Sequence, residues 1–108
     1  MQSIGGGKGE FATWFDALEW MEQEVDKREF DIAIIGCGAY GFNLAAHIKR
    51  KGKKAIHLGG ATQLLFGITG KRWEENEDYK MIFNEHWTRP SENERPADAS
   101  NVENGCYW

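Results

Sequence analysis

The chain has 108 residues, 13 of them basic and 17 acidic, which gives a formal net charge of -4. This length allows one domain, and five tryptophans and six phenylalanines supply enough apolar surface for a core, which excludes wholesale disorder. The acidic balance argues against a general nucleic-acid binder, because such proteins need many Lys and Arg side chains to neutralise phosphates.

Residues 1–10 are glycine-rich and are predicted to be a flexible lead-in. The N-terminus has no apolar core of signal-peptide length, and no apolar run is long enough to span a bilayer. We therefore expect a cytoplasmic protein without a transmembrane segment. Cys37 and Cys106 are too few for a disulfide scaffold and form no CxxC pair, so both are expected to be reduced thiols.

The first periodic segment predicts a helix. Apolar residues recur at helical spacing from Phe11 to Val25, and acidic residues occupy the other face. This pattern is typical of an amphipathic helix, here over residues 13–26. Thr13 is the expected N-cap, with Asp16 near the positive end of the helix.

The next elements predict a βαβ unit. Residues 30–35 are β-branched and apolar on both faces, as in a buried parallel strand. A glycine-rich turn, residues 36–41, leads into a predicted helix over residues 39–51, and residues 54–58 form a second strand. The fold class is therefore α/β, with a Rossmann-like unit of parallel strands and flanking helices. The basic run 49–54 is expected to complement the helix dipole rather than to bind phosphate.

The C-terminal part of the chain has weaker patterns. Residues 61–66 are predicted to form a short helix, 67–70 a loop and 74–83 another helix. Residues 84–108 are polar, contain both prolines and show no periodicity, which predicts an extended tail packed on the domain. The predicted organisation is a lead-in over 1–10, a domain over 11–83 and a tail over 84–108, pinned by Trp87, Val102, Tyr107 and Trp108.

The predicted sheet is incomplete. Two parallel strands with one crossover helix cannot cover both faces, although parallel sheets are ordinarily covered on both. Either a missing N-terminal part of a longer protein or a partner copy in a homo-oligomer is expected to complete it, and we favour the missing part.

The glycine pattern Gly36-x-Gly38-x-x-Gly41 lies where phosphate-binding turns occur, after a strand and at the start of a helix. Glycines there let a phosphate approach backbone N–H groups at the positive helix end. A dinucleotide-binding domain would also need an acidic residue near the end of the second strand, and residues 57–60 contain none. Methyltransferases use a similar turn, but Ile34 stands where they carry an acid. The competing interpretation is that the glycines only allow close packing of helix on strand.

A longer stretch carries a family resemblance. The run DIAIIGCGAYGFNLAAHIKRKGKKAIHLGG, residues 31–60, continuing into ATQLLFGITGKRW, residues 61–73, resembles the C-terminal half of bacterial proteins of cell-surface polysaccharide biosynthesis. Their arrangement is similar to GT-D glycosyltransferases. The resemblance covers about residues 10–108 and implies transfer of a sugar from a nucleotide-sugar donor to a glycan acceptor. GT-D enzymes carry an acidic metal-binding motif after the second strand, where this chain has GGATQLL, so no metal site is predicted.

The candidate donor-binding residues fall into the glycine turn, the end of the second strand and a basic cluster: Gly36, Gly38, Tyr40, Gly41; Gly59, Gly60, Thr62, Gln63; and Lys71, Arg72, Trp73, Arg89. The basic side chains would neutralise a diphosphate, and Trp73 would offer a ring face unless it belongs to the core. Glu85 and His86 are the candidate acid–base pair. Cys37 is a weaker candidate nucleophile, because no histidine partner is identifiable.

The resulting hypothesis is a nucleotide-sugar-binding domain of a glycosyltransferase-like protein, active only within a longer protein or oligomer. The donor is then the substrate, and no separate cofactor is predicted. Two alternatives stay open, a noncatalytic interaction domain of a polysaccharide-assembly protein and a dinucleotide-binding oxidoreductase domain.

Overall fold

The structure, a computed structural model, describes residues 10–101 and 103–108. The flexible lead-in and the pinning role of Val102 concern residues outside this range, apart from Glu10. The chain forms two compact units, Phe11–Thr62 and Gln63–Trp108. The division falls between residues 62 and 63, inside the range 11–83 that the sequence treats as one domain.

The first unit begins with helix α1, Trp14–Asp26, which confirms the predicted helix. Thr13 is its N-cap, as predicted, and its hydroxyl accepts a hydrogen bond from the Asp16 N–H at 3.1 Å. The Asp16 carboxylate accepts one from the Thr13 N–H at 2.9 Å. This reciprocal capping box satisfies N–H groups that the first turn of a helix leaves without partners.

The sheet of this unit has two parallel strands, β1 Ile32–Ile35 and β2 Lys54–His57. They pair in a register that places Ile34 beside Ile56 and Ile35 beside His57. Helix α2, Gly41–Arg50, connects them after a short 3₁₀ turn, Gly38–Tyr40. The predicted mixed α/β class with parallel strands in an incomplete sheet is confirmed.

Only one face of the sheet is covered. Ile35, Leu44 and Ile48 form the buried core between β1 and the helices. On the other face, apolar side chains remain about half exposed: Ile32 at 49%, Ile34 at 51%, Ile56 at 48% and Leu58 at 40%. The apolar pattern of residues 30–35 indicates burial on both faces, and the structure buries one.

Charged groups link α1 to α2 near their C-terminal ends. The Asp26 carboxylate accepts hydrogen bonds from Lys51 Nζ and from His47 Nε2, each at 2.8 Å. These two donors, Lys51 first, lower the pKa of Asp26. Lys51, a member of the basic run 49–54, thus has a carboxylate partner on α1.

The second unit contains short helices rather than the single helix predicted over residues 74–83. Helix α3 spans Lys71–Glu74 and helix α4 spans Glu77–Lys80. The break comes at Asn76, which has extended backbone and accepts a hydrogen bond on its side chain from the Asp78 N–H at 3.0 Å. Asn favours helix caps over helix interiors, which explains why the predicted helix starts again here.

Residues 84–108 also differ from the predicted extended tail. Their described part contains 3₁₀ turns at Glu92–Glu94, Ala99–Asn101 and Glu103–Gly105. Thr88 pairs with Ile68 in an isolated parallel bridge, and the Trp87 ring lies 4.9 Å from that of Phe83. The segment is therefore an integral part of the second unit.

Across the described ranges, no helix combines the length and the apolar character that crossing a bilayer requires.

Candidate functional site

In the first unit, the carboxyl end of β1 is a meeting point of hydrogen bonds. The Ile35 carbonyl accepts from the Leu58 N–H at 3.0 Å, which continues the strand ladder. It also accepts from His57 Nδ1 at 3.1 Å and from the Thr62 hydroxyl at 3.2 Å. Side chains of the following segment therefore hold the end of β1 in place.

Two of the turn glycines are required by these same side chains. A Cβ atom on Gly36 would lie 2.6 Å from Thr62 Oγ1, and one on Gly41 would lie 2.1 Å from His57 Cε1. Both distances are far below van der Waals contact. Close packing thus explains Gly36 and Gly41, as the competing interpretation predicts.

Gly38 and Gly59 have a different reason to be glycine. Gly38 has φ 51° and Gly59 has φ 58°, the left-handed region that other residues avoid. A Cβ atom on Gly59 would meet no heavy atom within 4 Å. Gly59 therefore leaves open space at the carboxyl end of β2, where α/β proteins bind ligands.

Tyr40 does not face that space. Its side chain is buried at 5% exposure, and its ring stacks on Trp14 with centroids 5.1 Å apart and planes 6° from parallel. Cys37 precedes it, and burial raises the pKa of the Cys37 thiol. The thiol is thus held in its protonated, weakly nucleophilic form.

A cleft of about 190 Å³ lies at the C-terminal ends of α1 and α2, away from the glycine turn. Its walls include Phe30, Ile48 and Lys53. The Lys53 ammonium donates to the Arg28 carbonyl at 3.2 Å and lies 4.3 Å from the centre of the Phe30 ring. The cleft contains none of the candidate residues.

In the second unit, Arg72 binds the C-terminal segment. Its guanidinium donates to Glu103 Oε2 at 2.9 Å and to the Tyr107 hydroxyl at 3.1 Å, and its backbone N–H donates to the Cys106 carbonyl at 2.9 Å. Burial and the nearby Glu103 carboxylate raise the pKa of the Cys106 thiol. Arg72, a candidate for diphosphate binding, is thus already paired with a carboxylate.

Trp73 is a core residue, 7% exposed, with its ring 5.2 Å from that of Tyr79. Its indole Nε1 has no hydrogen-bond partner among the described residues, and neither has the Gln63 side-chain nitrogen. The neighbouring Lys71 ammonium is exposed and lies 3.9 Å from Glu75. The indole face that the sequence offers to a sugar packs inside the protein instead.

Arg89 forms a two-pronged ion pair with Glu74. Its Nε donates to Glu74 Oε1 at 2.9 Å, and a second nitrogen contacts Oε2. The guanidinium lowers the pKa of Glu74. Paired in this way, Arg89 joins α3 to the segment after α4.

Glu85 and His86 lie in a turn, where the side chains are 86% and 85% exposed. His86 Nε2 is 3.7 Å from Glu85 Oε1, and the His86 N–H donates to the Asn84 side chain at 2.9 Å. Both side chains are therefore open to solvent. No buried neighbour fixes their geometry, so their acid–base role stays a prediction.

The structure gathers Gly36, Gly38, Gly41, Gly59 and Thr62 around the ends of β1 and β2, and it pairs Arg72 and Arg89 with carboxylates in the second unit. Gly60 has intermediate exposure beside Gly59. The sequence analysis did not predict that His57 belongs to this strand end. The order of the elements could have indicated it, because the last residue of a second parallel strand lies beside the end of the first. The Glu103 partner of Arg72 has no such signal, being 31 residues away in sequence.

Over residues 10–101 and 103–108, no three His, Cys, Asp or Glu side chains cluster in a way that could hold a metal ion. Comparisons with protein-family models, with curated proteins and with solved structures found no match to this chain.

Proposed function

We propose that residues 11–62 form a Rossmann-like nucleotide-sugar-binding unit of a glycosyltransferase-like protein in bacterial surface polysaccharide synthesis. The observation that carries the proposal is the open carboxyl edge at Gly59, beside a glycine turn that follows one parallel strand and opens α2. Nucleotides bind at this edge in open α/β sheets. The sugar-transfer chemistry comes from the sequence resemblance.

The backbone supplies the groups that a diphosphate needs. Helix α2 has no side-chain N-cap hydrogen bond, although the Gly41 N–H already donates to the Gly38 carbonyl in the preceding 3₁₀ turn. The N–H groups of the first turn of α2 carry the positive end of the helix dipole. Gly38, with φ 51°, supplies the left-handed backbone of the turn that leads into α2.

The test is to add UDP, GDP, CMP, NAD or S-adenosylmethionine to the protein and to measure binding by amide NMR shifts and by calorimetry. We expect a UDP-, GDP- or CMP-containing ligand to shift the Gly38 and Gly59 amides saturably. Binding of NAD alone would instead support the oxidoreductase alternative. Binding of none of the five ligands would overturn the proposal.

A matched pair of variants localises the site. Gly59→Leu and Gly52→Leu both place a side chain at a left-handed glycine with open space around it, since Gly52 has φ 79° and no heavy atom near its missing Cβ. The backbone cost is therefore similar, about 1–2 kcal/mol. Gly52 follows α2 at its far end, so only Gly59→Leu is expected to weaken nucleotide binding, by tenfold or more. Equal effects of the two variants would place binding elsewhere.

One observation favours the second candidate function, a noncatalytic interaction domain. The half-exposed side chains of Ile32, Ile34, Ile56 and Leu58 form an apolar surface on a kind of sheet that is normally covered on both faces. If this is the main role, Ile34→Thr will abolish association in light scattering while the chain binds no nucleotide. A monomer at all concentrations that binds nucleotide would count against it.

A further inference from the structure

His57 lies where the proposed ligand would approach. It is the last residue of β2, pairs with Ile35 across the sheet, and is partly buried. Gly59, with its open space, follows two residues later. The histidine therefore adjoins the same strand end that the proposed function assigns to the nucleotide.

Three contacts fix the orientation of the imidazole ring. Its Nδ1 donates to the Ile35 carbonyl at 3.1 Å, and its Cε1, Nε2 and Nδ1 atoms lie 2.1, 2.4 and 2.5 Å from the position that a Cβ on Gly41 would take. The Phe42 ring meets it edge to face at 5.2 Å between centroids. Gly41 has no Cβ where one would collide with the ring. The ring is thus held in one position before any ligand arrives, which lowers the cost of binding.

The hydrogen bond to Ile35 determines which nitrogen carries the proton. A carbonyl oxygen only accepts, so Nδ1 must donate, and the neutral ring then has its lone pair on Nε2. Nε2 has no hydrogen-bond partner among the described residues. It is also not one of the fully buried polar atoms without a partner, which are Gln63 Nε2, Thr69 Oγ1 and Trp73 Nε1. The ring therefore presents a fixed acceptor that solvent can reach.

We propose that His57 Nε2 accepts a hydrogen bond from the ribose 2′-hydroxyl of the bound nucleotide, an inference that rests on the proposed function. In dinucleotide-binding βαβ units an acidic side chain near the end of the second strand accepts this hydroxyl. Residues 57–60 of this chain contain no Asp or Glu. His57 supplies a neutral acceptor in that place, and the site selects ribonucleotides over 2′-deoxyribonucleotides.

The experiment compares UDP with 2′-deoxy-UDP, and likewise GDP and CMP with their 2′-deoxy forms, by calorimetry on the full chain. The wild type is expected to bind the ribonucleotide about threefold to tenfold more tightly, the range for one neutral hydrogen bond. His57→Asn keeps a side-chain N–H near the position of Nδ1 but has no acceptor at the position of Nε2. In this variant the two forms are expected to bind equally, at the wild-type affinity for the deoxy form.

His57→Gln is the rescue variant, because its longer amide can place an oxygen near the position of Nε2. We expect it to restore part of the ribose preference that His57→Asn loses. A purely structural histidine would instead give two variants that weaken both nucleotides alike, without changing the preference.

A measurement on the wild type needs no variant to fold. Two-bond proton–nitrogen NMR spectra of His57 should show Nδ1 protonated and Nε2 unprotonated, with the Nε2 resonance shifting on addition of UDP and not of 2′-deoxy-UDP. A protonated Nε2 in the neutral ring, or equal affinity for both sugars in the wild type, would overturn the inference and leave the proposed function standing. Binding of none of these nucleotides would overturn both.

Discussion

The two units of the chain use different means to hold a similar number of residues together. The unit of residues 11–62 has two regular helices and two strands around the buried trio Ile35, Leu44 and Ile48. The unit of residues 63–108 has two four-residue α-helices among its described residues, α3 and α4, and ion pairs such as that of Arg89 with Glu74. Apolar periodicity organises the first unit, whereas specific long-range pairings organise the second.

This difference bears on function. In the first unit the proposed ligand-binding groups are backbone atoms and His57, whose ring is held by the Ile35 carbonyl, Gly41 and Phe42. In the second unit the attractive cations Arg72 and Arg89 already have carboxylate partners. A basic side chain in a motif therefore indicates a ligand site only when the fold leaves it unpaired.

The largest expected effect comes from the core of the first unit. Ile48 is 1% exposed, so Ile48→Ala removes buried methyl groups and leaves a cavity. We expect the free energy of unfolding to fall by about 2–5 kcal/mol in urea denaturation. Ile34→Ala is the control on the open sheet face, with an expected loss of about 1 kcal/mol or less, because half of that side chain is already in water. Equal losses would mean that the open face is covered in solution.

An intermediate effect is expected at Gly70, which joins the first and last parts of the second unit. A Cβ atom there would lie 2.8 Å from the backbone oxygen of Tyr107, and backbone cannot easily move aside. Gly70→Ala should cost about 1–3 kcal/mol and release the C-terminal segment. The measurement is the alkylation rate of Cys106 followed by mass spectrometry, with the rate at Cys37 as internal control.

Gly67→Ala is the matched control for that experiment. Gly67 has φ 68° and open space around its missing Cβ, so the variant strains the backbone without touching Tyr107. It should lower stability by about 1–2 kcal/mol and leave Cys106 alkylation unchanged. Faster alkylation in both variants would show that general loosening, rather than the Gly70 contact, controls access to Cys106.

The smallest expected effect concerns the Arg89–Glu74 pair, since both side chains are partly exposed. Arg89 lowers the pKa of Glu74 in the folded protein, so the pair stabilises the fold at pH values above the ordinary glutamate pKa of about 4.3. That stabilisation is lost as the pH falls through the lower, folded-state value. Arg89→Gln should cost about 1 kcal/mol or less at pH 7, and the difference from wild type should vanish in acid.

Lys71→Gln is the control for this pair, because it removes one positive charge from an exposed side chain 3.9 Å from Glu75. It should leave the free energy of unfolding nearly unchanged at pH 7. A pH-independent loss in Arg89→Gln would indicate that packing of the side chain, rather than its charge, stabilises the unit.

Sequence reasoning succeeded where a local pattern decides the structure. The spacing of apolar residues and the Thr13 cap predict α1, and the strand–glycine–helix–strand order predicts parallel pairing of β1 and β2. The half-covered sheet also follows from the element count. The contact of His57 with the end of β1 was not predicted, because it depends on the register between the two strands, which the sequence indicates only indirectly.

The second unit was predicted less well for a physical reason. Its short helices are too brief to show a 3.6-residue period, and polar caps such as Asn76 interrupt them. The contact of Arg72 with Glu103 joins segments 31 residues apart in sequence. The local sequence around either residue does not indicate that they pair. Trp73 likewise belongs to the core, where its ring packs beside that of Tyr79.

The stack of Trp14 on Tyr40 has a consequence for ligand entry. Tyr40 belongs to the glycine turn, and Trp14 begins α1, so the turn is clamped to a thirteen-residue helix despite its glycine content. The turn cannot swing outward unless two large rings separate. A ligand arriving there would find a rigid receptor and spend little of its affinity on ordering it.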